Sequence, residues 1–231
     1  MNTEPITDEA LYRLMAWLSP GFPVGSYAYS HGLEFAVEDG LVTDEASLCT
    51  WIEGVLSLGA GAIDGPLFAA AWRAGGDAAL LEIAELADCY RATAEMALES
   101  GAQGTAFLNT VAETWISPEF AHHADILRRQ DRPIAYAVAV GVAAADAGVP
   151  LRAALIAYFH AFAANLTSAA VRLIPLGQVA GQRIIEDLRA PVSAAAHAAM
   201  EIPVDEIGSA GALIDWTSIA HETQYTRLFR S

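Results

Sequence analysis

The chain reads as all-α, a single-domain helical bundle of about 8–11 helices with short Pro and Gly joints, spanning residues 1–231 with tails at 1–10 and 222–231. Three observations carry that reading. Apolar residues recur at helical spacing, most clearly Leu48, Trp51, Ile52, Val55 and Leu56. No alternating β-branched run bounded by hairpin turns occurs in the sequence. The joints between apolar runs are short and rich in Pro and Gly, which implies antiparallel neighbours in a bundle.

Taken in order, a first helix must stop at 17–34, where Pro20, Gly21, Pro23 and Gly25 sit among Phe22, Tyr27 and Tyr29. Pro20 and Pro23 fix their own φ and restrict Ser19 and Phe22, so the loop is stiff. Aromatic residues in a stiff loop indicate packing or contact. Gly32-Leu33-Glu34 opens a helix behind it. The 48–56 stripe takes Thr43 as N-cap, with Asp44 and Glu45 at the positive end of the dipole, and Gly59 and Gly61 close it.

Gly65-Pro66 starts a short helix through Trp72, stopped at Gly75-Gly76. Asp77 caps a helix whose apolar face runs from Leu80 to Leu98, ended by Gly101. Phe107 to Trp115 form another, ended before Pro118. Two longer helices follow, one from Pro133 to Gly148 and one opened by Pro150 and carrying Leu151, Leu155, Phe159, Phe162, Leu166 and Ala170. Pro175 predicts a kink or a helix-turn-helix corner before a restart toward Ile184 and Leu188. Alanine-rich faces such as 194–199 predict a tight centre rather than a roomy cofactor cavity.

Composition removes several function classes. The net charge of −16 disfavours nucleic acid and anionic membranes as partners. Residues 1–101 hold 16 acidic and 3 basic side chains, a net of −13 that suits a basic protein partner. All 12 basic residues are arginine, so neither a P-loop lysine nor a Schiff-base lysine is available. The mean hydropathy of +0.33 raises the membrane question, and 153–171 is uncharged. His160, Asn165, Thr167 and Ser168 within that run favour a central buried helix. Cys49 and Cys89 form no motif and read as buried small apolar residues in a reducing compartment. With no basic-then-apolar leader, the expected location is the cytoplasm.

Catalytic apparatus is not apparent: there is no Gly-x-Ser-x-Gly elbow, no dinucleotide fingerprint and no Walker sequence. His122-His123 with Asp125 are the densest ligand types, yet adjacent histidines on a helix point about 100° apart. They form a solvated surface pair, or an α-helical metal carrier or enzyme site with His160. His31 is either a structural histidine or an interface donor beside Tyr27 and Tyr29. The 221–231 segment keeps His221, Tyr225, Arg227, Leu228, Phe229 and Arg230, types enriched in interface hot spots, so it docks on a partner or covers its own core.

Trp17 to Glu34, Ser168 to Arg183 and His221 to Arg230 together resemble the UreF family of urease accessory proteins, from about Leu11 onward. The resemblance implies a non-catalytic, all-α chaperone of nickel insertion without a cofactor or metal site of its own. It also implies a homodimer that binds the UreD (UreH) accessory protein, recruits the UreG GTPase and engages apo-urease. Carried over by position, Tyr225, Arg227, Leu228 and Phe229, with His221, fall in the segment that docks on UreD. Tyr27, Tyr29, His31, Arg172, Gln178 and Arg183 fall in the other two motifs, as complex surface or its support. For Arg172 and Arg183, a buried ion pair with Glu34 or Glu186 is an equal alternative.

Overall fold

The computed structural model describes residues 5–115 and 117–231. Among them the helices run α1 (Asp8–Trp17), α2 (Leu33–Glu38), α3 (Glu45–Ser57), α4 (Ala60–Trp72), α5 (Asp77–Cys89) and α6 (Ala94–Thr114). They continue as α7 (Pro118–Arg128), α8 (Tyr136–Asp146), α9 (Leu151–Leu173), α10 (Gln178–Asp187), α11 (Arg189–Glu201) and α12 (Ala212–His221). Two 3₁₀ turns, Ser26–Ala28 and Val204–Glu206, complete the described residues, which contain no strand. The all-α expectation therefore holds, with twelve α-helices where 8–11 were expected.

The extra helices arise at breaks that composition does not advertise. The single run expected from Asp77 to Glu99 is two helices, because the Thr93 side chain accepts from the Met96 N–H and starts α6 afresh. Gly101, expected as a stop, lies inside α6. Gly104, one turn further on, shows what such glycines do here: a Cβ there would stand 1.9 Å from the Ile134 carbonyl oxygen. It is a contact glycine that lets α6 touch the chain entering α8.

Other boundaries shift for equally local reasons. Asp44, not Thr43, caps α3, because its carboxylate accepts from the Ser47 N–H at 2.8 Å and the Ser47 hydroxyl closes a capping box. Gly59 closes α3, its N–H donating to the Gly54 carbonyl at 3.1 Å, and also precedes α4, whereas Gly61 lies within α4. Pro66 also sits inside α4 rather than at its start. It removes a single ladder donor, and the helix continues through it on buried Ile63, Leu67 and Phe68. Of the tail expected at 1–10, residues 1–4 lie outside the described residues and Asp8 onward is already helix α1, capped by the Thr7 hydroxyl.

One core cluster joins the helices. Its centre is α8, whose Ala137 to Ala144 are buried without a break and which packs against α4, α5, α6, α7 and α9. Small side chains let those neighbours close on it. The apolar run at 153–171 lies in α9, which is long and apolar enough to span a membrane yet packs against α2, α3, α4, α8, α10 and α11. Pro175 marks a true corner, with Ile174 extended between α9 and α10.

The turn into α2 sets up the functional region. His31 and Gly32 both have left-handed backbones, with φ of 58° and 77°. A Cβ on Gly32 would lie 2.8 Å from the Ser218 N–H nitrogen, so glycine here admits α12 against the start of α2. Thr93 and Ser218 hydroxyls meet at 2.7 Å and tie α12 to α6 as well.

Candidate functional site

The 222–231 segment lies along the 17–34 loop as a strap. The Arg230 N–H donates to the Ala28 carbonyl at 2.8 Å, and the Ser30 N–H donates to the Ser231 carbonyl at 2.7 Å. The Ser30 hydroxyl donates to the same carbonyl. Arg172, at the end of α9, reaches both partners: it donates to the Tyr27 carbonyl at 3.0 Å and lies over the Phe229 ring at 4.4 Å. Asn165 donates to the Tyr29 carbonyl at 3.2 Å, and Arg230 covers the Tyr29 ring at 5.5 Å. The three separated sequence motifs thus meet at one place.

Beneath the strap are three buried carboxylates. Glu34 accepts the main-chain N–H groups of Leu228 at 2.6 Å and Phe229 at 2.8 Å. His221 lies fully buried between Glu95, 2.7 Å from its Nδ1, and Glu34, 3.2 Å from its Nε2. Arg227 donates to the other oxygen of Glu95 at 3.0 Å. Glu99 receives Gln103 at 3.1 Å, His31 Nδ1 at 3.2 Å and the Ser231 hydroxyl at 3.0 Å. Each carboxylate has at least two partners, so the cluster acts as a clasp that fixes the strap in register.

Which residues the clasp buries decides what faces outward. Tyr29, His31, His221 and Phe229, expected at an interface, are buried within this chain and support the surface from below. Tyr27, at 69% exposure, and Leu228, at 62%, point outward, and Tyr225 is fully exposed at 102%. Arg172 and Arg227 are exposed where they bridge. The exposed face of α12 adds Leu213, Trp216 and Ile219 in one stripe, with Trp216 held edge-on against Phe35 at 5.3 Å. This stripe leads directly into the exposed side of the strap.

Gln178 and Arg183 stand apart, on the exposed side of α10. Arg183 donates to Glu45 of α3, at 3.0 Å through Nε, and that hydrogen bond holds the Glu45 carboxyl below its ordinary range. The ion pairs of Arg172 or Arg183 with Glu34 or Glu186 do not form: Glu34 is filled by main-chain donors, and Glu186 pairs with Arg189 at 3.2 Å. His122 and His123 diverge as their helical spacing requires. His122 meets Asp77 at 3.0 Å, His123 meets Asp146 at 2.9 Å, and Asp125 is turned to Arg128 at 3.8 Å. His160 lies exposed on α9, so these four groups do not assemble.

Sequence reasoning missed Glu95, Glu99 and Ser30 altogether. The available signal was the i, i+4 spacing of Glu95 and Glu99 with Gln103, polar residues on the buried face of α6. An acidic pair there needs partners from elsewhere in the chain.

Comparison with known proteins places this geometry in a context. The UreF family model matches residues 42–189. The chain is 51% identical over 232 residues to the urease accessory protein UreF of Granulibacter bethesdensis, covering 99% of this chain and 97% of that protein. It is 48% identical over 225 residues to the same-named protein of Rhodopseudomonas palustris, covering 96% and 91%. With that of Magnetococcus marinus it shares 44% identity over 232 residues, covering 97% and 99%. The alignment with the Granulibacter protein extends across the 17–34 loop and the strap, which lie outside the 42–189 match.

Proposed function

Because the chain belongs to the UreF family of urease accessory proteins, we propose that it serves urease maturation as a non-catalytic cytoplasmic scaffold for nickel insertion. In this reading it works as a homodimer, docks the UreD (UreH) accessory protein through the α12 face and the strap, recruits the UreG GTPase and engages apo-urease. Nickel is cargo of the assembly, supplied and received by the other chains.

The observation that carries the reading is the exposed stripe of Leu213, Trp216 and Ile219 continuing into Tyr225 and Leu228, above a clasp that fixes its shape. Apolar and aromatic side chains on a rigid support are what an interface core requires, because little conformational entropy remains to be lost on binding. The clasp carboxylates are committed to the strap, which suits a structural role. The excess of acidic residues in 1–101 supports a second, electrostatically steered contact with a more basic partner.

Co-purification with UreD tests the docking surface. Trp216→Asp places a charge in the stripe at a solvent-exposed position, so the thermal midpoint stays within a few degrees while UreD recovery falls at least about tenfold. Undiminished recovery by the folded variant rejects this surface. Deleting residues 224–231 is a poorer test, because it strips Glu34, Glu95 and Glu99 of strap donors and leaves buried carboxylates short of partners.

A further inference from the structure

The apolar surface formed by α12 and the strap ends in opposite charges. The strap leaves α12 beside the end of α2, where Gln224 donates to Glu38 and Trp216 meets Phe35. Asp39 and Glu222 stand exposed next to that entry, as does Glu38 itself. Among the described residues none of these three carboxylates meets an arginine.

At its far end the strap runs beside 28–30, held by the main-chain bonds from Arg230 to Ala28 and from Ser30 to Ser231. There the exposed charge is positive. Arg230 covers the Tyr29 ring and Arg172 covers the Phe229 ring. The Arg172 guanidinium donates only to the carbonyls of Ser168 and Tyr27, and neither arginine is paired with a carboxylate among the described residues. Exposed Tyr27 stands at this basic end, where it also borders a cavity of about 240 Å³, an exception to the tight centre expected from the alanine-rich helices.

Between the two ends the acidic side chains Glu34, Glu95 and Glu99 are buried beneath the strap and bonded to its donors. A docking partner therefore meets the exposed charges and not these three. An exposed ion pair adds little affinity by itself, but a charge that is dried by a closing interface and finds no opposite charge opposes binding. Unpaired charges at the rim of an apolar patch thus select the partner and its direction, and they act on the rate of association.

We propose that this docking surface is electrically two-ended and fits a partner whose apolar patch is flanked by basic groups facing Glu38, Asp39 and Glu222 and by acidic groups facing Arg172 and Arg230. Charge then fixes the direction in which the partner lies along the strap. The assignment rests on the docking role proposed above for UreD. It differs from what the net charge of −16 alone suggests, which is a uniformly basic partner face.

Association with purified UreD, followed by stopped-flow fluorescence at about 30 mM and about 300 mM NaCl, compares the wild-type chain with Glu222→Arg and Arg230→Glu. Both side chains are exposed and Arg230 keeps its main-chain bond to Ala28, so both variants fold with unfolding midpoints within a few degrees of wild type. Each reversal is expected to slow association at least about threefold at the lower salt, with the deficit shrinking below about 1.5-fold at the higher. A uniformly basic partner face gives opposite signs, Glu222→Arg slowing association and Arg230→Glu accelerating it. That result overturns the proposal, as does its mirror image or the absence of any change. Should a reversal fail to fold, Asp39→Asn and Arg230→Gln remove one charge from each end, and both are expected to slow association at low salt; acceleration or no change in either overturns the proposal in the same way. Trp216→Asp separates this polarity from the docking role beneath it. If Trp216→Asp abolishes association while both reversals keep the wild-type rate, the surface docks UreD without the polarity; if Trp216→Asp associates normally, the surface is wrong and both fall.

Discussion

Replacing Glu34 by glutamine tests the clasp at its narrowest point. The carboxylate is buried and divides its two oxygens between the Leu228 and Phe229 N–H groups, at 2.6 and 2.8 Å. Glutamine has one acceptor oxygen, so one of these main-chain donors must face an NH₂ group instead. A hydrogen bond to a charged group contributes roughly 1.5–3 kcal/mol, and a buried unpaired N–H costs a similar amount. The strap should therefore loosen by about 2–3 kcal/mol, which corresponds to roughly a 30- to 150-fold rise in its open population. Hydrogen–deuterium exchange reads this directly: peptides covering 222–231 accelerate by that factor, while those covering the core helix α8 change less than about twofold. Unchanged exchange across 222–231 refutes the clasp. Equal acceleration in α8 refutes the separation between strap and core.

Two further outcomes follow from the fold. Gly104→Ala forces a methyl group to within 1.9 Å of the Ile134 carbonyl, so α6 must move off the entry to α8, and the protein loses more than about 3 kcal/mol in urea unfolding or fails to accumulate folded. The Asp44 carboxyl is held below its ordinary value of 3.8, first by the Ser47 N–H and then by the Ser47 hydroxyl. A lowered carboxyl stabilises above its unfolded pKa and loses that contribution as pH falls through its folded value. Asp44→Asn, which keeps a capping oxygen, therefore flattens the loss of melting temperature below about pH 4 and leaves pH 7 nearly unchanged.

Helix type and the main joints were legible because they depend on neighbours close in sequence. The stripe from Leu48 to Leu56 has the period of one helix face whatever lies opposite, and Pro175 ends a helix by its own chemistry. Gly61, Gly101 and Pro66 misled because their role is set by what packs across from them or by the continuing apolar face. The strap motif was legible as unusual from Tyr225, Leu228 and Phe229, but not its orientation. Phe229 is only 4% exposed while Leu228 beside it faces solvent, and that division depends on Glu34, 195 positions away from Phe229. Long-range polar partnerships such as His221 with Glu34 and Glu95 leave no local period to read.

In the proposed function, α12 and the outer face of the strap form the docking surface for UreD. Hydrogen exchange of the chain alone and saturated with purified UreD measures it most directly. New protection across 212–231 and at Tyr27, with α7 unaffected, is the expected result. Protection confined to α7 or α10, with 212–231 exchanging as in the free chain, contradicts it.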